Sequence, residues 1–143
     1  MFSNDAQKIM SSLYNITHTV IGTINDTDQK RIFVTPPPSV FPIGAQIVID
    51  EVALVTETPD AIDGTDYWSF NVLNVTDTAD LLDDDVTNFT GGTAISADIP
   101  YRITPDQNNT LGANKVLELD ITKTASAANL LECSVVVHWH WEV

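Results

Sequence analysis

The last thirteen residues constrain the fold more than any other segment. Leu131, Cys133, Val135, Val137, Trp139, Trp141 and Val143 all fall at odd positions, and Glu132, Ser134, His138, His140 and Glu142 lie between them. Seven apolar residues at seven successive odd positions require a repeat of two, because a helix would scatter them around its circumference. The segment reads as a strand with one dry and one wet face, and the dry face needs a second layer to cover it.

The same alternation recurs upstream. Ile16, His18 and Val20 share one parity, with Asn15, Thr17 and Thr19 on the other. Residues 29–35 form a second strand, stopped by Pro36-Pro37-Pro38, which cannot donate ladder hydrogen bonds. In 45–57, Ile47 and Ile49 share a parity that Val52 and Leu54 reverse, so a β-bulge is expected near Asp50-Glu51. Trp68, Phe70 and Val72 line a strand over 66–75, and Leu81-Leu82 suggest a short one. Ile95, Ala97, Ile99, Tyr101 and Ile103 predict a strand over 93–104, and Leu117, Leu119 and Ile121 another over 115–124. A last hairpin is expected through Ala125–Asn129. Seven clear strands plus one doubtful one predict an all-β, antiparallel two-sheet sandwich of the jelly-roll type. An immunoglobulin-like sandwich is the alternative. Residues 1–13 read as an N-terminal arm or short helix, and 14–143 as one sandwich domain, in keeping with a chain of 143 residues.

Charge narrows the partners. Twenty acidic residues against six basic ones give a formal net charge of −14. Such a field repels phosphate polyanions, so neither nucleic acid nor an anionic membrane is an expected partner. One cysteine excludes an intrachain disulfide framework. The N-terminus lacks the cationic-then-apolar pattern of a secretory leader, and no apolar run is long enough to span a bilayer.

The search for chemistry yields little. There is no Gly-x-Ser-x-Gly, no His-Glu-x-x-His and no phosphate-binding glycine loop. His138, His140 and Glu142 have a spacing that could reach one zinc, but they also form the wet side of an amphipathic strand, and no metal or other cofactor is expected. Asp60, Asp63 and Asp66, and Asp83-Asp84-Asp85, lack the alternate-residue spacing of calcium loops. Cys133 falls on the dry face and reads as a core thiol. Trp68, Trp139 and Trp141 could form a sugar platform, but their parity places them in the core. Five Asn-x-Ser/Thr sequons, at Asn15, Asn25, Asn74, Asn88 and Asn108, are expected by chance in a chain so rich in Asn and Thr. No catalytic residue emerges, and the expected function is not enzymatic.

Several segments carry a resemblance. Arg31-Ile32-Phe33-Val34-Thr35 precedes the proline loop, and Gln46-Ile47-Val48-Ile49-Asp50-Glu51-Val52-Ala53-Leu54 follows it. Asp98-Ile99-Pro100-Tyr101-Arg102-Ile103-Thr104, Lys115-Val116-Leu117-Glu118-Leu119 and the Val-rich terminal strand come later. Over residues 14–143 this chain resembles the small jelly-roll structural proteins of tailed bacteriophages that decorate or cement the capsid. The resemblance implies a virion-surface protein, made in the host cytoplasm, that binds the major capsid protein and is often trimeric. It implies no catalytic residue. Candidate contact residues are Phe2, Lys8, Ile9 and Met10 in the arm; Pro36, Pro37, Pro38 and Phe41 in the loop; and His138, His140 and Glu142 on the last strand. If the histidine row makes contacts, protonation near pH 6 is expected to alter assembly. A fibre or adhesin-type carbohydrate- or receptor-binding module is the alternative.

Overall fold

In the computed structural model, residues 14–143 are described and form ten β-strands without a helix. The strands are β1 (Tyr14–Ile24), β2 (Asp28–Val34), β3 (Gln46–Val55), β4 (Trp68–Asn74), β5 (Ala79–Asp80), β6 (Val86–Thr87), β7 (Tyr101–Ile103), β8 (Thr110–Leu111), β9 (Val116–Lys123) and β10 (Leu130–Glu142). One sheet runs β1-β10-β3-β7, with β8 also on β3. The other runs β2-β9-β4-β5, with β6 also on β4. All the strand pairs are antiparallel.

The ten strands fill eight positions. β5 and β6 lie in tandem along one edge of β4, and β7 and β8 in tandem along one edge of β3. The chain crosses between sheets at six of its nine connections, and its first and last strands pair, which is the wrapped order of a jelly roll. Residues 125–129 accordingly join strands of different sheets. They form a crossover, and the hairpin expected there is not made.

The alternating apolar residues meet between the sheets in one core. Ile47, Ile49, Val52, Leu54, Cys133, Val135 and Val137 face Trp68, Phe70, Val72, Leu117, Leu119 and Ile121. The parity switch in β3 is a bulge: His138 opposes Glu51 and Trp139 opposes Ile49, leaving Asp50 as the extra residue. That bulge lets both halves of β3 point their apolar residues inward.

Four expectations on residue placement are corrected. Leu130 is buried and Leu131 exposed, because Glu132 takes a positive φ of 48° and the chain places two residues, not one, between inward-facing Leu130 and Cys133. The alternation over 93–104 yields only the three-residue β7. Asp98 has a φ of 57° and Ile99 is exposed, so the pattern breaks before the strand begins. Leu81 and Leu82 are buried, but they follow β5 and do not form a strand themselves. Trp68 is a core residue as expected, whereas Trp139 and Trp141 are only half-buried and pack on the core's margin.

The outward face of the second sheet carries an acidic cluster. On the second sheet, Glu118 and Asp120 of β9 lie close to Asp80 and Asp85. Asp120 Oδ1 is buried without a hydrogen-bond donor. Burial raises the Asp120 pKa above the ordinary carboxylate value, and the neighbouring acids push the same way against a hydrogen bond from Gln29. With the folded-state pKa above the unfolded one, stability is full at low pH and declines as pH rises through that window. Asp120→Asn removes the charge with little change of shape. It is expected to stabilise the protein at pH 7 by up to about 1 kcal/mol, modest because the group is partly solvated. The gain should vanish below the ordinary carboxylate pKa, which urea melts at pH 7 and pH 3 will check.

Candidate binding surface

Among the described sequence candidates, the fold brings the proline loop against the last strand. The proline loop runs from β2 to β3 and is held by its own carbonyls. Pro37 O accepts from Val40 N and Phe41 N, each at 3.1 Å, and Pro42 O accepts from Ala45 N at 3.1 Å. Pro36 O accepts from Asn114 N at 3.0 Å, tying the loop to the turn before β9. Prolines that fix φ and carbonyls that are satisfied locally make this a rigid projection.

That loop aims Phe41 at the last strand. Phe41 meets Trp141 edge-on with ring centroids 5.0 Å apart, Trp141 meets Trp139 at 5.7 Å, and Trp139 meets Phe33 of β2 at 5.5 Å. The Trp139 indole N–H donates to Thr17 Oγ1 at 3.1 Å. Each tryptophan is thus packed against other aromatic rings, unlike an open sugar-stacking platform. Beside this ladder the loop exposes apolar side chains, Val40 at 66% and Ile43 at 73%. Isolated exposed valines need no explanation, but apolar residues on a rigid projection backed by four aromatics form a patch.

On the opposite face of β10 the histidine row is built differently from its sequence reading. His140 Nδ1 is 2.8 Å from Asp50 Oδ2, and Tyr14 lies over the imidazole at 5.2 Å. The β3 bulge supplies the pairing, since Asp50 is the residue it displaces. His138 lies opposite Glu51 on β3 and Ile16 on β1, and Glu142 lies opposite Gln46. Among the described residues, no three His, Cys, Asp or Glu side chains are close enough together to hold a metal ion. Phe2, Lys8, Ile9 and Met10 lie outside the described residues, which begin at Tyr14, beside His140.

The acidic loops satisfy themselves. Asp63 Oδ1 accepts from Thr65 N at 2.7 Å, Thr65 Oγ1 at 2.9 Å and Asp66 N at 3.0 Å, and these bonds hold its carboxyl below the ordinary value. Asp66 Oδ1 accepts from Ser126 N at 2.8 Å. Asp85 accepts from Ser69 Oγ and Asn71 Nδ2. Cys133 is buried, and desolvation pushes its thiol pKa up, which suits the core role read from its position. A pocket of about 340 Å³ beside β7 is lined by Thr93, Ser96, Ile99, Tyr101 and Arg102 among others. Of its two ionisable residues, Arg102 pairs with Glu51, while the buried Tyr101 hydroxyl has no hydrogen-bond partner and burial pushes its pKa up to about 12.

Sequence reasoning missed the apolar contribution of β1. Tyr14, Ile16 and Val20 face outward and are 73%, 67% and 72% exposed, while Thr17 and Thr19 turn toward the interior. The available signal was the absence of any Asp, Glu, Lys or Arg between Lys8 and Asp26. Asn88 was missed too. This buried side chain has an oxygen that accepts from Trp68 N at 2.6 Å, and an amide that donates to Asp60 Oδ2 and Ala61 O. Its sequon is therefore inaccessible in the folded protein.

Fold and surface together define a jelly-roll sandwich with an aromatic-backed apolar end. No family model matches the chain, and no curated protein does. Among solved structures it is similar to the Drosophila NLP core, described in connection with pentamer formation and histone binding. That match has 12% identity and a TM-score of 0.36 over 89% of this chain and 98% of that one. It is also similar to a chain of T=1 particles derived from infectious bursal virus, with 10% identity, a TM-score of 0.41, and coverage of 91% and 32%. A third is the VP2 subviral particle of infectious bursal disease virus, with 10% identity, a TM-score of 0.33, and coverage of 92% and 38%. The chain spans about a third of the length of those two viral chains. At such identities and scores these likenesses carry no argument about function, which rests on this chain's own residues.

Proposed function

We propose that this chain is a non-enzymatic virion structural protein that decorates a capsid and strengthens contacts between major capsid proteins. The observation that carries the reading is the rigid proline loop, with Val40 and Ile43 exposed and Phe41 anchored on the Trp139–Trp141 ladder. A preorganised apolar projection binds a neighbour without first having to be ordered. The resemblance to phage decoration proteins supplies the partner, the major capsid protein, and the location on the virion surface. A net charge of −14 suits the outside of a particle, where it keeps particles apart, better than contact with the packaged genome.

The test is co-sedimentation of the purified chain with undecorated capsids of the virus that encodes it. Wild type is expected to pellet with capsids saturably. Val40→Asp/Ile43→Asp, at two exposed positions, should keep its melting temperature and lose about tenfold or more in affinity. A folded wild type without affinity for capsids or their subunits would remove the proposal. So would loop variants that bind as tightly as wild type.

A further inference from the structure

We infer that the pocket beside β7 is a docking slot for a short, uncharged stretch of extended peptide, which adds to the β1-β10-β3-β7 sheet as a further strand. The lining of the pocket includes the successive residues Tyr101 and Arg102. Successive residues of a strand point to opposite faces of its sheet, so a pocket that touches both lies at the strand's edge and not over a face. Tyr101 is buried and Arg102 exposed, as that alternation requires. β3 holds the other edge of β7, with Tyr101 opposite Leu54 and Ile103 opposite Val52. The pocket therefore stands where the next strand of the sheet would lie, with Thr93, Ala94 and Ser96 as further lining.

An edge strand turns alternate N–H and C=O groups away from its sheet. Among the described residues, Tyr101, Arg102 and Ile103 make no backbone hydrogen bond outside the pairing of β7 with β3. A peptide backbone offers donors and acceptors at the matching spacing, which a compact small molecule does not. A volume of about 340 Å³ is at the lower end for ligand sites and suits a short segment. The three residues of β7, set off by Pro100, limit the added strand to a similar length. Tyr101 brings one more unmet group: its buried hydroxyl lacks a partner, a cost that a guest carbonyl can remove.

Charge and polarity define the guest. The lining has no carboxylate to receive a cationic side chain. An anionic one would meet a chain of net charge −14, and the Arg102 guanidinium is already paired with Glu51. Ile99, 60% exposed, offers apolar contact together with Pro100 and Ala94. The guest is therefore a neutral strand with an apolar side chain. The slot is separate from the proline loop, which joins β3 ahead of Gln46, whereas β7 pairs with β3 at Val52–Leu54.

Titration of the isotope-labelled full chain with the blocked tripeptide acetyl-Thr-Val-Thr-N-methylamide, followed by amide chemical shifts, tests this. Saturable shifts confined to the amides of 93–103 are expected, with a Kd on the order of 1–10 mM. Ser96→Trp, which fills the pocket from an exposed position, should weaken binding by about tenfold or more. A probe methylated at every backbone nitrogen cannot complete the ladder and should lose as much. Glutamate or lysine in place of the probe's valine should weaken it by about threefold or more. Val40→Asp/Ile43→Asp should bind the tripeptide like wild type, since its changes lie on the proline loop. No saturable shift at 93–103 overturns the inference, as does undiminished binding by Ser96→Trp or of the charged probes. Equal binding of the methylated probe also overturns it, because the pocket would then take a small apolar molecule. Shifts of the same amides on concentrating the free protein from about 50 µM to about 1 mM would make a second copy the occupant, with the same consequence.

Discussion

Replacing Asn88 by alanine is expected to destabilise the protein by about 3 kcal/mol, a large fraction of what a domain of this size has in reserve. Asn88 is fully buried and serves three backbone or side-chain groups at once. Alanine leaves the Trp68 N–H without its 2.6 Å acceptor, and Ala61 O and Asp60 Oδ2 without their donor. The Trp68 N–H has no water to turn to, so its desolvation is uncompensated. Burial already raises the Asp60 carboxyl above its ordinary value, and the hydrogen bond from Asn88 offsets part of that. Losing the bond should therefore raise it further, and the penalty of the variant should be larger at pH 7 than near pH 4. Urea unfolding at both pH values, with the m-value unchanged, is the check. A loss under about 0.5 kcal/mol would mean the loop over 60–66 is not held through Asn88.

Trp68→Ala is expected to cost still more, about 3–5 kcal/mol by the usual penalty for emptying a buried aromatic site. The indole is buried and stacks near Phe70 at 6.4 Å, and its Nε1–H donates to Ala128 O at 2.9 Å. Lys123 Nζ sits 5.5 Å from the ring centroid while donating to Asn25 O and Asn129 Oδ1. One side chain thus fills the core and braces the β9–β10 crossover against the turn that leaves β1. The variant should unfold at lower urea concentration and show faster exchange at 125–130. Trp68→Phe keeps most of the volume but loses the Ala128 bond, and its smaller loss would separate packing from crossover anchoring.

These two residues mark the limits of what periodicity reveals. Trp68 was legible, since it alternates with Phe70 and Val72 in a strand that faces the core. Asn88 was not, because a buried asparagine between Thr87 and Phe89 looks like any loop residue until Trp68, twenty positions earlier, is known to need an acceptor. The contact candidates divide in the same way. The proline loop and the last strand were legible as elements. Their meeting through Phe41 and Trp141 was not, because residues a hundred positions apart have no local pattern in common. The outward-turned apolar row of β1 was hidden for a related reason: alternation tells which residues share a face, but not which face is dry.

By itself the sequence determined that residues 14–143 are β and stack in two layers, that a bulge falls near Asp50-Glu51, and that the surface is strongly acidic. Each follows from local stereochemistry or from simple counting, so no partner strand had to be known. Only the tertiary structure decided that 125–129 crosses between sheets, that Leu130 and not Leu131 enters the core, that Asp50 reaches His140, and that Tyr14, Ile16 and Val20 of β1 turn outward. Those outcomes depend on which strands become neighbours. That choice is set by the summed burial of the whole core and not by any one segment's preference.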